Sequence, residues 1–96
     1  MNRRLTRTPG LAEVVREDRA VVLNLPQLEE QQSPYVFEGP AFEIWRRIDG
    51  SRSQRLIVSE LAAAFEVDED VMEQDVRGFV ATIAELGLID YGQPDA

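Results

Sequence analysis

The chain has 96 residues, with 10 Lys+Arg against 18 Asp+Glu, a formal net charge of -8, no His and no Cys. That length supports one domain with a single compact core and little room for a deep pocket. The missing Cys excludes disulfides, thiolate nucleophiles and thiolate zinc sites; the missing His excludes imidazole bases and ligands; and the negative charge opposes binding to phosphate backbones.

Hydrophobic residues make up 44% of the chain, as in an ordinary globular domain. No run approaches the roughly 18 to 20 apolar residues of a membrane span, and no apolar segment of a signal peptide follows the basic N-terminus, so a cytoplasmic protein is expected. Residues 1–10 read as a flexible basic tail ended by Pro9-Gly10. Residues 11–15 are a short apolar-rich run, 16–19 (Arg-Glu-Asp-Arg) a polar turn, and 20–25 strongly β-prone, which together predict a hairpin. Pro26 ends the second strand and residues 27–33 form a polar loop. Residues 34–38 alternate, with Tyr35 and Phe37 on one face and Val36 and Glu38 on the other, and Pro34 suits the start of an edge strand.

The period then changes from 2 to 3.6. Gly39-Pro40 opens a helix whose stripe is Ala41, Ile44, Trp45 and Ile48, closed by Asp49-Gly50. Ser53 caps a second helix running to about Phe65, with Ile57, Leu61 and Phe65 as its buried face. Asp68 caps a third, with Met72, Val76, Phe79, Val80, Ile83 and Leu86 as its core stripe. Gly87 ends it, and Leu88 is placed to touch Ile83 as in a Schellman motif. Residues 90–96 are a short tail, with a stub of strand at 89–91. The expected fold is therefore α+β, three N-terminal antiparallel strands followed by three helices, resembling a winged helix-turn-helix, with the working domain at 11–89.

No catalytic constellation emerges. No base partners any Ser or Thr, and the carboxylates lie mostly at helix starts or exposed positions. Asp68-Glu69-Asp70 begins like a calcium loop, but lacks the Gly at its sixth position and has Met72 in a ligand slot. There is no Gly-rich phosphate loop. No cofactor, metal or catalytic residue is expected. Six acids cluster from Glu66 to Asp75; they either complement the start of the third helix or form an acidic rim that steers a basic partner. That helix offers only Arg77, and the second only Arg52 and Arg55, a thin cationic face for the nucleic-acid binding or transcription regulation usual in winged helices, which stands as the alternative function.

What remains is a surface made of backbone. The third strand, at a candidate sheet edge, would present unpaired N–H and C=O groups, and with a flanking helix it would form a groove that an extended peptide enters by strand addition. Several stretches carry a resemblance: Phe37-Glu38-Gly39-Pro40-Ala41-Phe42-Glu43-Ile44-Trp45; Ile48-Asp49-Gly50; Ile57-x-x-x-Leu61; and Asp75-Val76-x-x-Phe79-Val80-x-x-Ile83-x-x-x-Gly87-Leu88-Ile89. In this order they resemble the PqqD-like family of RiPP precursor recognition elements, most of all the stand-alone version that serves lasso-peptide biosynthesis. The sequence departs from the family at Phe37-Glu38-Gly39, where Leu-Asn and a Thr or Ser are common.

The resemblance implies a non-catalytic module. The leader region of a ribosomally made precursor would add as a strand beside Tyr35, Val36, Phe37 and Glu38, its side chains resting on the third helix. The module would then deliver the precursor to a leader peptidase and a macrocycle-forming enzyme. On that helix Met72, Val76 and Phe79 are candidates for both core and pocket wall. Asp75 is either an anchor for a cationic leader residue or a solvated acid. Val71, Gly78 and Thr82 would line a shallow groove, Gly78 inviting explanation because Gly costs about 1 kcal/mol against Ala inside a helix.

Overall fold

The computed structural model describes residues 4–25 and 33–91. Eight elements follow in order: β1 (Leu5–Arg7), β2 (Leu11–Val15), β3 (Arg19–Asn24), β4 (Tyr35–Glu38), α1 (Pro40–Trp45), α2 (Gln54–Phe65), α3 (Glu69–Glu85) and β5 (Ile89–Tyr91). The expected α+β order, three antiparallel strands and then three helices, is present as β2, β3 and β4 followed by α1, α2 and α3. Most of the polar loop expected at 27–33, and Pro26 before it, lie outside the described residues.

The polar segment between β2 and β3 closes a tight hairpin, in which Arg16 N–H donates to Arg19 O at 2.8 Å. Register then decides what is inside. Ala20 faces Phe37 and Val22 faces Tyr35 across β3 and β4, so one sheet face carries Ala20, Val22 and Phe37 into the core. The opposite face carries Val14, Val21 and Val36 in one row across the three strands.

Helix boundaries follow local chemistry. Gly39 takes φ 59° and ψ -134°, open to Gly but strained for L side chains, and α1 starts with Pro40 and without a side-chain cap. Ser53 Oγ accepts from Leu56 N–H at 3.1 Å at the start of α2, and Asp68 Oδ1 accepts from Asp70 N–H at 2.8 Å at the start of α3. The expected Schellman motif ends α3: Leu88 N–H donates to Ile83 O and Gly87 N–H to Ala84 O, both at 3.0 Å. Trp45, Ile48, Ile57, Leu61, Met72, Val76, Val80, Ile83 and Leu88 fill the core between sheet and helices.

Three expectations are corrected. The segment 1–10 does not simply fray: Leu5–Arg7 is a strand, antiparallel to β5 with Leu5 opposite Tyr91, and Leu5 is fully buried. Leu5 N–H donates to Arg52 O at 3.0 Å and Gly50 N–H donates to Leu5 O at 2.9 Å, so β1 also ties into the turn between α1 and α2. The ordered unit thus extends beyond 11–89 at both ends, through pairings between distant parts of the chain. Second, Phe65 is 48% exposed rather than buried; it is the last residue of α2, where the helix stripe runs out. Third, in α1 Phe42 is buried while Ala41 is only half-buried, because this six-residue helix packs more than one side of its surface.

Candidate functional site

β4 is the edge of the β2-β3-β4 sheet, and among the described residues no strand pairs with its outer side. Its backbone therefore keeps unused donors and acceptors along four residues. Phe37 points inward from it and meets Phe79 of α3 edge to face, ring centroids 5.3 Å apart and planes at 86°. This contact places α3 beside β4. The strand edge and the flank of α3 are the two sides of the candidate groove, with the Phe37 and Phe79 rings between them.

Helical geometry settles which side of α3 faces the strand. At about 100° per residue, Val71, Asp75, Gly78, Phe79 and Thr82 share one flank. Phe79 shows that this flank faces β4. Glu69 and Glu73 lie toward the other side, where Glu69 accepts from Ser59 Oγ of α2 at 3.4 Å and Glu73 pairs with Arg77 at 2.7 Å. The acidic start of the helix is thus mostly turned away from β4, and Asp75 is the acid on the groove flank. Val71 is 56% exposed on this flank of α3, and Val36 is 49% exposed on the opposite face of the sheet, so Val36 offers the site its backbone rather than its side chain. Gly78 is exposed, and a Cβ added there would meet nothing within 4 Å. Thr82 Oγ1 donates back to Gly78 O at 3.0 Å, satisfying the hydroxyl inside the helix.

The eleven residues proposed from sequence divide clearly. Val36, Glu38, Val71, Asp75, Gly78 and Thr82 are exposed, and Tyr35 and Phe79 are half-buried. Phe37 and Met72 are nearly enclosed. Val76 has no exposed surface, its position on the wheel pointing directly at the core. Sequence reasoning missed the polar cluster around Trp45, behind Phe37. Arg7 Nη1 pairs with Glu13 Oε1 at 2.6 Å, Arg7 Nη2 donates to Trp45 O at 2.9 Å, and Trp45 Nε1 donates to Glu13 Oε2. Nothing in the linear pattern brings residues 7, 13 and 45 together.

Among the described residues no group of three or more carboxylates is placed to hold a metal ion. No helix among them is long and apolar enough to cross a membrane. The clearest pKa displacement outside simple surface pairs is at Asp49, whose carboxyl is held below its ordinary value by the Ser51 hydroxyl and backbone N–H, with Arg52 adding to the effect. It lies in the turn after α1 and shapes that turn, not the groove.

The family described as "Coenzyme PQQ synthesis protein D (PqqD)" matches residues 19–89. The chain belongs to the PqqD family. The match runs from the first residue of β3 through the first of β5, so it contains both sides of the groove. Among solved structures, the PqqD-family fold seen here is similar to a chain described as "TbiB1 in Complex with the TbiA(beta) Leader Peptide", with a TM-score of 0.78 and 21% identity, covering 94% of this chain and 99% of that one. No curated protein matches the sequence. The TbiB1 similarity also covers most of the part N-terminal to the family match, where β1 and β2 lie.

Proposed function

We propose that this PqqD-family protein binds the leader region of a ribosomally synthesised precursor peptide by strand addition to β4. The observation that carries the reading is an unpaired edge strand standing beside an exposed flank of α3, with two aromatic rings between them. Backbone hydrogen bonds to residues 35–38 would supply affinity, and the shallow surface of Phe79, Val71, Gly78 and Thr82 would read alternate leader side chains. The similar TbiB1 chain, solved with a leader peptide, supports the same reading. Asp75 would favour a cationic leader residue at its position along the groove.

The module acts without catalysis, in the cytoplasm, and serves a lasso-peptide pathway. Bound leader would lie in line with β4, so its outward side chains would extend the valine row of Val14, Val21 and Val36. A leader peptidase and a macrocycle-forming enzyme would receive the precursor there. Nucleic-acid binding is disfavoured by the surface of α3, where Arg77 is already paired to Glu73.

The test is a titration with the leader of the short precursor encoded beside this gene, followed by an N-methyl scan along that peptide. Saturable binding is expected, with N-methylation harmful at every second residue, since a strand alternates the edge it turns toward its neighbour. A leader that fails to bind overturns the function; binding without a period of two overturns strand addition.

A further inference from the structure

Trp45 is the sole Trp of the chain, and it is fully buried. A buried indole N–H needs an acceptor, and here it has the Glu13 carboxylate of β2. The other oxygen of that carboxylate holds Arg7, whose guanidinium carbon lies 4.6 Å from the indole ring centroid. Arg7 also reaches Trp45 O with Nη2 at 2.9 Å. One carboxylate therefore grips two planar groups stacked on each other, and the planar fork of Arg suits this where the point charge of Lys would not. The Arg7 side chain is only 29% exposed.

Trp45 in turn lies 5.0 Å from Phe37, centroid to centroid, with the planes tilted by 40°. Phe37 meets Phe79 at 5.3 Å. A continuous line of packed planes thus runs from Arg7, outside the family match and remote from the groove in sequence, to the Phe79 ring on the groove flank of α3. Close-packed interiors transmit displacement because there is no void to absorb it.

We infer that Arg7 and Glu13 are positioning residues for the groove: by clamping Trp45 they set the placement of Phe37 and Phe79 on which a bound peptide rests. The inference rests on the leader-binding reading for its consequence, but its structural half stands apart. Without the clamp, Trp45 loses its acceptor and the stacked cation on one side, and Phe37 and Phe79 lose a fixed support.

The experiment compares the wild type with Arg7→Met, Glu13→Gln and a control, Val58→Ala, which removes buried volume from α2, a helix that contributes no residue to this line. Each variant is first shown to be folded at the assay temperature. Arg7→Met keeps an apolar stem over the indole and removes the fork; Glu13→Gln serves in its place if Arg7→Met does not fold. In the peptide-free protein the ring signals of Phe37 and Phe79 should move in the Arg7 and Glu13 variants and stay in place in the control. With the leader peptide, the clamp variants should bind about fivefold or more weakly, while Val58→Ala stays within about twofold of wild type. Unmoved ring signals, or clamp variants binding within about twofold of wild type, would overturn the inference. Failure of the wild type to bind leader would instead remove the function, and the ring signals would still decide the clamp.

Discussion

Gly78 gives the sharpest separation between what the fold needs and what the groove needs. It lies inside the 17-residue α3, is exposed, and has open space where a Cβ would stand. Replacement by Ala should therefore bring the full gain in helix propensity, about 0.8–1.0 kcal/mol, with no steric cost in the free protein. For a domain of this length the unfolding entropy is about 0.2 kcal/mol/K, so the melting temperature should rise by about 4–5 °C. A guest seated against the flank of α3 would meet the new methyl group, and crowding of that kind costs about 1–3 kcal/mol, a loss of about fivefold or more in affinity. Thermal unfolding followed by circular dichroism and a calorimetric leader titration measure the two effects independently. A stabilised variant that binds as tightly as wild type would refute the placement of the guest against this flank. A variant with no gain in stability would refute the claim that nothing in the free fold requires Gly here.

Three further predictions concern the scaffold. Leu5→Ala should cost about 2–5 kcal/mol in urea unfolding, because Leu5 is fully enclosed; a loss below about 1 kcal/mol would mean that β1 frays as its polar sequence suggests. Glu66 follows the last residue of α2 with φ 55° and ψ 45°, a left-handed conformation that costs a residue with a Cβ about 1 kcal/mol or more, so Glu66→Gly should raise the urea midpoint. An unchanged or lower midpoint would count against that strain. Asp49 has a carboxyl pKa depressed below its ordinary 3.8, chiefly by the Ser51 hydroxyl. Its contribution is fully present above the unfolded-state value and is lost as pH falls through the lower folded-state value. Asp49→Asn should thus be less stable than wild type at pH 6, with the gap closing as pH falls below the ordinary 3.8 and through the lower folded-state value; a gap independent of pH would refute the linkage.

Much of this protein was decided locally and was therefore readable from its sequence. The alternation at Tyr35–Glu38, the change of period at Gly39-Pro40, the caps at Ser53 and Asp68 and the Gly87-Leu88 stop all depend on residues within about four positions of one another. That Val71, Asp75, Gly78 and Thr82 share one flank of α3 was also legible, because helical spacing alone places them together. Two things were decided only in three dimensions. Leu5–Arg7 carries no periodicity in three residues; it becomes a strand because β5 and the turn at 50–53 offer partners from far along the chain. Which candidates are exposed and which are enclosed depended on how α3 packs on the sheet, where Phe37 lies between Trp45 and Phe79. The absence of His and Cys had already excluded much side-chain chemistry; among the described residues, tertiary packing left the outer edge of β4 unpaired beside an exposed helix flank, because the sheet ends at β4 on that side and the helices cover its inner face.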